Sequence, residues 1–208
     1  PISGYDFKEK ILSTDTFWSM EELPKSIAVI GGGYSGCEFA SILNVLGCKV
    51  WLIEMEDMLM PDNPQEIGKT LEKYMRIDGI TVLTNSKVEK ITDEGILVNG
   101  ENIDVEKILV CVGRKPNISS DEMKKLGIEF SGKGIDVNKK MLTSVSNIYA
   151  IGDVAGKYEL AHVASKQGEV AAHNITGHDS EMDYSVVPFC VFTFPEVAFV
   201  GDCSGKSG

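Results

Sequence analysis

The residues best suited to chemistry form a short glycine-rich run, Gly31-Gly32-Gly33-Tyr34-Ser35-Gly36, which satisfies G-x-G-x-x-G. The pattern is weak alone and gains meaning from its neighbours: an apolar run, Ser26 to Ile30, leads into it, and a stretch with helical apolar spacing, Tyr34 to Leu46, leads out. A strand that turns directly into a helix needs the first glycine for the tight turn. It needs the second so that the backbone can approach a pyrophosphate, and the third so that helix and strand pack closely. The helix N-terminus adds unpaired N–H groups and a partial positive charge, both favourable to phosphate. Glu54 closes the next apolar run, Lys49 to Ile53, roughly twenty residues on, where the acid of this fingerprint belongs. Its carboxylate can accept hydrogen bonds from adenosine ribose hydroxyls and would repel a 2′-phosphate. Met55-Glu56-Asp57 adds negative charge and no Arg or Lys, so NAD is favoured over NADP. A plain βα turn with a solvated strand-end acid would use the same residue types, but strand, glycines, helix, strand and acid all stand in register. FAD shares the fingerprint, so it identifies a dinucleotide more firmly than it identifies which one.

The elements needed to position these groups can be read on either side. Ser26 to Ile30, Lys49 to Ile53 and Ile80 to Leu83 read as buried strands, with helices over Tyr34 to Leu46 and Gln65 to Arg76, stopped by Gly47 and Gly79. This alternation predicts a parallel sheet with right-handed crossovers. Val88 to Thr92, Ile96 to Val98 and Ile103 to Val105 then alternate around Asp93-Glu94-Gly95 and Asn99-Gly100, the latter a strong hairpin signal. Ile108 to Val112 is a further buried strand. A Gly- and Lys-rich connection follows Pro116, then a short strand at Ile148 to Ile151, a helix at Ala161 to Ile175 and β-like texture from Val186. The expected fold is α/β: a Rossmann-like parallel sheet with an antiparallel β-meander insert, of the FAD/NAD(P)-binding kind.

Composition narrows the partners. With 31 acidic against 20 basic residues the net charge is −11, which argues against nucleic acid or an anionic membrane as partner. No apolar run approaches bilayer length, and with no basic stretch and apolar core after Pro1-Ile2-Ser3-Gly4 a secretory signal is not expected. Cys37, Cys48, Cys111, Cys190 and Cys203 are odd in number and widely spaced, without a C-x-x-C unit. They point to a reducing, cytoplasmic setting, and no histidine stands at ligand spacing from them for zinc.

Four later segments resemble the flavoprotein disulfide reductases, also called pyridine nucleotide-disulfide oxidoreductases. Val112-Gly113-Arg114-Lys115-Pro116-Asn117 is similar to the family's strand-end G-R-x-P-N. Ile148-Tyr149-Ala150-Ile151-Gly152-Asp153 resembles its flavin-binding segment, and Glu159-Leu160-Ala161-His162 the next flavin-contacting turn. Val187-Pro188 and Thr193-Phe194-Pro195-Glu196-Val197-Ala198 look like the opening of its interface domain. Within the family, the last two segments and Glu54 are most similar to the dihydrolipoamide dehydrogenase branch.

The resemblance implies roles residue by residue. Gly31, Gly32, Gly33, Tyr34, Ser35, Gly36, Cys37, Glu38, Glu54 and Gly113 would line an NAD site, with Val88 beside the adenine. Asp153, Glu159, Leu160, Ala161 and His162 would touch FAD. Structural roles are open beside these: Asp153 as a helix cap, Glu38 as a first-turn acid, Val88 as a core residue, His162 as a packing residue. Arg114 reads as a surface arginine. The resemblance further implies regions at 1–25 (a linker from the FAD domain), 26–113 (NAD domain), 114–183 (the later part of the FAD domain) and 184–208 (the start of the interface domain). It implies a homodimer acting on the lipoyl domain of a 2-oxoacid dehydrogenase complex. The family's redox cysteine pair and its catalytic His-Glu pair match nothing here, so the chain is expected to be a fragment, inactive alone, with no catalytic or metal-binding residue of its own. The alternatives are a related FAD-dependent NADH oxidase, CoA-disulfide or mercuric reductase, or a non-catalytic NAD-binding module.

Overall fold

The computed structural model describes residues 10–92 and 94–201. The expectations placed on the N-terminal residues, on Asp93 and on Cys203 lie outside them. The described chain forms two compact units, 10–113 with 188–201, and 114–187.

The first unit is built on a five-stranded parallel sheet. In chain order its elements are β1 (Ile11–Ser13), a 3₁₀ turn (Thr16–Ser19), β2 (Ser26–Ile30), α1 (Tyr34–Val45), β3 (Lys49–Ile53), α2 (Gln65–Ile77), β4 (Thr81–Leu83), β5 (Val88–Ile91), β6 (Gly95–Val98), β7 (Glu101–Asp104) and β8 (Lys107–Val110). The sheet order is β1-β8-β2-β3-β4, and β5-β6-β7 form a separate antiparallel meander. Strand alternation explains why the sheet runs are almost wholly apolar. Ile27, Val29, Val50, Leu52 and Leu109 point to one face and pack with Cys37, Ala40 and Leu43 of α1 and Leu71 and Met75 of α2. Ala28, Ile30, Ile53, Ile108 and Val110 point to the other and pack with Val88, Ile96 and Val98 of the meander. The sheet is thus sandwiched between a helix layer and a meander layer. At the tip of β6–β7, Asn99 (φ 51°) and Gly100 (φ 80°) take the two left-handed positions of a type I′ turn.

Three parts of the sequence reading need correction. Ile11–Ser13 was not read as a strand, yet it pairs in parallel with β8 at the sheet edge. Nothing within three residues of sequence marks an edge strand whose partner is about a hundred residues away, so long-range pairing outweighs local pattern here. The connection after Pro116 contains α3 (Ser120–Leu126), closed by Gly127 at φ 70°, and a hairpin of β9 (Phe130–Ser131) and β10 (Gly134–Ile135). Ile148 to Ile151 is not a regular strand. It makes a single bridge, Tyr149 to Leu142, with Thr143 N–H donating to the Ile148 carbonyl and Ala150 N–H to that of Met141. The apolar run is real, but its partner segment is too short to extend a ladder.

The second unit holds α3, the β9–β10 hairpin, a 3₁₀ turn (Gly152–Ala155) and α4 (Ala161–Ile175). Returning to the first unit, β11 (Pro188–Val191) and β12 (Val197–Val200) form an antiparallel pair, with Val191 fully buried in the core beside α1.

Candidate functional site

Strand order locates the glycine turn. From β2 the chain passes through α1 to β3 and through α2 to β4, always in one direction; after the meander it crosses to β8, on the other side of β2. The switch point therefore lies between β2 and β8. Open α/β sheets take ligands at the carboxyl ends of strands beside such a point. Gly31–Gly33 leave β2 here and Cys111–Gly113 leave β8.

The three glycines of the pattern meet different surroundings. Gly31 has φ 106°, and a Cβ on it would lie 2.5 Å from the Cys111 carbonyl oxygen. A Cβ on Gly36 would collide with the Gly31 carbonyl oxygen, so only glycine lets α1 approach the turn this closely. At Gly33 a Cβ would meet nothing within 4 Å, and the same holds at Gly113. The turn is thus packed tight behind and open in front, at the first turn of α1, where helical N–H groups have no intrahelical acceptor. This is an arrangement into which a pyrophosphate fits.

Glu54 is 8% exposed. Gly32 N–H donates to its Oε2 at 2.5 Å and Glu56 N–H to its Oε1 at 2.9 Å, while Met60 N–H donates to the Gly32 carbonyl at 2.8 Å. The acid therefore ties the glycine turn to the loop after β3, a bond absent from the sequence reading. Each carboxylate oxygen has a second acceptor position, so capacity for ribose hydroxyls remains.

Cys37 is fully buried and its thiol donates to the Gly32 carbonyl at 3.3 Å. Burial, then the charges of Glu54 and Glu38, push its pKa far above the ordinary thiol value; burial pushes that of Cys111 up to about 12. Both stay protonated and inert at neutral pH, as packing groups beneath the turn. Tyr34 and Ser35 are exposed. The Tyr34 hydroxyl donates to Asn63 Oδ1 at 3.0 Å; at 36% exposure the side chain is partly covered, and this desolvation raises its pKa. Its ring stacks towards Phe189 of β11 at 6.4 Å.

Glu38 has an occupation neither reading foresaw. Its Oε1 accepts the Phe192 N–H at 2.9 Å, and Ser41 Oγ, one helical turn on, accepts the Phe194 N–H at 3.1 Å. Together they hold residues 192–194 along α1. Val88 is only 9% exposed and packs into the core between sheet and meander. Its side chain offers almost no surface to a base.

In the second unit, Asp153 is exposed on the 3₁₀ turn. It is not a helix cap: α4 is preceded by Leu160 at its N-cap, with no side-chain cap bond. The residue that fixes this turn is Gln167, fully buried within α4 and missed on sequence. Gly152 N–H donates to Gln167 Oε1 at 2.6 Å, and Gln167 Nε2 donates to the Tyr184 hydroxyl at 2.9 Å. The Lys157 ammonium lies 3.7 Å from the centre of the Tyr184 ring. A signal existed, since Gln167 stands on the apolar stripe formed by Val163, Val170 and Ala171. Glu159, Ala161 and His162 are exposed around the start of α4 and Leu160 is half-buried. A Cβ on Gly152 would lie 3.5 Å from that of Ala164, so the Asp153 turn and the first turn of α4 are neighbours. Among the described residues there is no cluster of metal-ligating side chains, and no helix is long and apolar enough to cross a membrane.

Residues 1–168 match the family described as pyridine nucleotide-disulphide oxidoreductase. The chain belongs to this family. It is 41% identical over 206 residues to a dihydrolipoyl dehydrogenase of Chlamydia pneumoniae, covering 97% of this chain and 45% of that protein. With a dihydrolipoyl dehydrogenase of Bacillus subtilis (strain 168) it shares 35% identity over 207 residues, again 97% of this chain and 45% of the relative. The chain thus spans about half the length of these oxidoreductases. Among solved structures it superposes on the HOCl-induced flavoprotein disulfide reductase RclA from Escherichia coli with a TM-score of 0.87 at 26% identity, covering 97% of this chain and 49% of that one. An NAD-dependent persulfide reductase from A. fulgidus gives a TM-score of 0.81 at 30% identity, with 93% and 40% covered. The resemblance to the dihydrolipoamide dehydrogenase branch holds, as does the α/β fold expected of a family member.

Proposed function

We propose that this chain is the NAD-binding centre and part of the flavin-binding region of an enzyme that oxidises protein-bound dihydrolipoyl groups, with NAD as final acceptor. The observation that carries the reading is the buried Glu54, bonded to Gly32 N–H beside a glycine turn whose outer face is open at Gly33. In this reading the N–H groups at the start of α1 hold the pyrophosphate, Glu54 takes the ribose hydroxyls, and Gly113 leaves room at the end of β8. Val88 contributes through its main chain. Asp153 and the turn from Glu159 to His162 hold the flavin. When bound, flavin and nicotinamide supply the electron relay between a substrate disulfide and NAD. The residues of this chain bind and orient them; none acts as nucleophile or base. The partner is a lipoyl domain of a 2-oxoacid dehydrogenase complex, and the working enzyme is a cytoplasmic homodimer. The names of the dihydrolipoyl dehydrogenase relatives support the dihydrolipoyl substrate.

A second reading draws on the likeness to the persulfide reductase: the same cofactor centre serving a small-molecule disulfide or persulfide. Turnover with dihydrolipoamide compared with CoA disulfide separates the two.

The test of the NAD assignment is calorimetric titration of the complete enzyme with NADH and NADPH. NADH is expected to bind preferentially, and Glu54→Ala to weaken it about tenfold or more, since hydrogen bonds to a charged group are worth about 1.5–3 kcal/mol. Equal affinity for NADPH would overturn the assignment.

A further inference from the structure

The meander is an insertion between β4 and β8, and one of its hairpin tips reaches the ribose acid through a continuous set of hydrogen bonds. Asn99 Nδ2 donates to Ser86 Oγ at 3.0 Å, and the Ser86 hydroxyl donates to the Thr84 carbonyl at 2.8 Å. This hydroxyl, in a residue 4% exposed, pins the turn Thr84-Asn85-Ser86, in which Asn85 has φ 49°. The turn in turn holds the loop after β3: Ser86 N–H donates to the Glu54 carbonyl at 2.9 Å and Asn85 N–H to that of Glu56 at 2.8 Å. Glu56 N–H and Gly32 N–H then fix the two Glu54 carboxylate oxygens. The tip itself is held from β5, because Gly100 N–H donates to Glu89 Oε1 at 3.0 Å.

We infer that Asn99 is a positioning residue for the adenosine-ribose end of the dinucleotide site, acting through Ser86 on Glu54. The inference rests on the proposed NAD reading. Its physical basis is the geometric demand on Glu54, whose carboxylate must serve two main-chain N–H groups and two ribose hydroxyls at once. That is achieved only if the backbone at 54–56 is held still; from outside its own loop it is held by the Leu83 carbonyl, which accepts the Glu54 N–H at 2.8 Å, and by the N–H groups of residues 85 and 86. Their turn is anchored through the Ser86 hydroxyl, the group to which Asn99 donates.

The decisive variant is Asn99→Gly. A Gly-Gly pair suits a type I′ turn as well as Asn-Gly does, so the hairpin is retained and only the amide is removed. In the complete enzyme, assayed with dihydrolipoamide, Asn99→Gly should raise KM for NAD about fivefold, the scale of one lost hydrogen bond, with kcat unchanged. The preference for NAD over its analogue lacking the adenosine 2′-hydroxyl should narrow by a similar factor. Ser86→Ala should do at least as much, and the double variant no more than Ser86→Ala alone. KM for NAD within twofold of the parent, or an equal rise for NAD and the deoxy analogue, would overturn the inference and leave the bond as support for the hairpin alone. Failure of the unmodified enzyme to prefer NADH would show earlier, before any variant is made, and would remove the proposed function along with the inference.

Discussion

In the first unit the candidate cofactor residues stand where β2, β3 and β8 end, and a buried acid, Glu54, bonds the glycine turn directly. In the second, Asp153 lies exposed on a 3₁₀ turn, and what fixes that turn is a neutral amide reaching back from α4. In the proposed reading the first arrangement holds phosphate through main-chain N–H groups, which need a correct backbone path, and ribose through the buried Glu54. The second places a side chain in solvent and depends on a buried polar group two steps away. A main-chain site should therefore fail through steric changes, and a side-chain site through loss of a hydrogen bond beneath it.

The sharpest break is available inside the glycine turn. Gly36→Ala puts a Cβ into the Gly31 carbonyl, a backbone group that cannot swing aside, with Cys111 Cβ 3.6 Å away. It should destabilise the first unit by more than about 3 kcal/mol and abolish measurable NADH binding. Gly33→Ala should behave otherwise. Gly33 has φ −73° and ψ −170°, open to any residue, and its Cβ would face empty space. Stability should stay within about 0.5 kcal/mol, while NADH affinity falls because the new methyl occupies the approach path of the pyrophosphate. Urea unfolding and calorimetry on both variants decide this, and unimpaired NADH binding by Gly33→Ala would refute the placement of the phosphate there.

The matching break in the second unit is Gln167→Leu. The shape is nearly kept, but the part-buried Gly152 N–H loses its acceptor and the Tyr184 hydroxyl keeps only its contact with Met141 Sδ, a loss of about 1 kcal/mol or more. The expected result is a destabilised second unit and easier loss of flavin from the complete enzyme, with NADH affinity unchanged. Flavin retained at the parental level on dilution would show that the Asp153 turn holds itself.

These contrasts explain how much was legible in advance. Glycine spacing, the β2–α1–β3 alternation and Glu54 are short-range facts, each enforced by local sterics, and they give the sheet, the turn and its acid. Asn99-Gly100 likewise declares its hairpin. What sequence could not show is what depends on remote pairing: the edge strand Ile11–Ser13 against β8, the clasp of Glu38 and Ser41 on residues 192–194, and the reach of Gln167 to Gly152. Val88 is instructive in a different way. Its apolar side chain fits both a core and an adenine contact, and only the meander layer packed over the sheet decides that the side chain belongs to the core.

The smallest expected effect separates the two units by titration. All five cysteines lie outside 114–187, and both tryptophans, Trp18 and Trp51, lie in the first unit, so tryptophan fluorescence follows the unit that carries the thiols. Burial raises the pKa of Cys37 and of Cys111, the latter to about 12 from an ordinary value of 9.0. A raised folded-state pKa means that above pH ~9 the unfolded chain gives up protons the folded chain retains. Unfolded molecules then bind fewer protons, and stability falls with rising pH. The contribution is complete below pH ~9 and drains away as the pH climbs towards 12. Unfolding by urea, followed by tryptophan fluorescence, should show a midpoint that drops between pH 8.5 and about 10.5. Cys111→Ala should flatten part of that slope, and the exposed Cys190 should react with a thiol reagent well before Cys37 in the folded protein. An undiminished slope in Cys111→Ala would assign the alkaline loss to other groups and leave the thiols beneath the turn as packing atoms without electrostatic consequence.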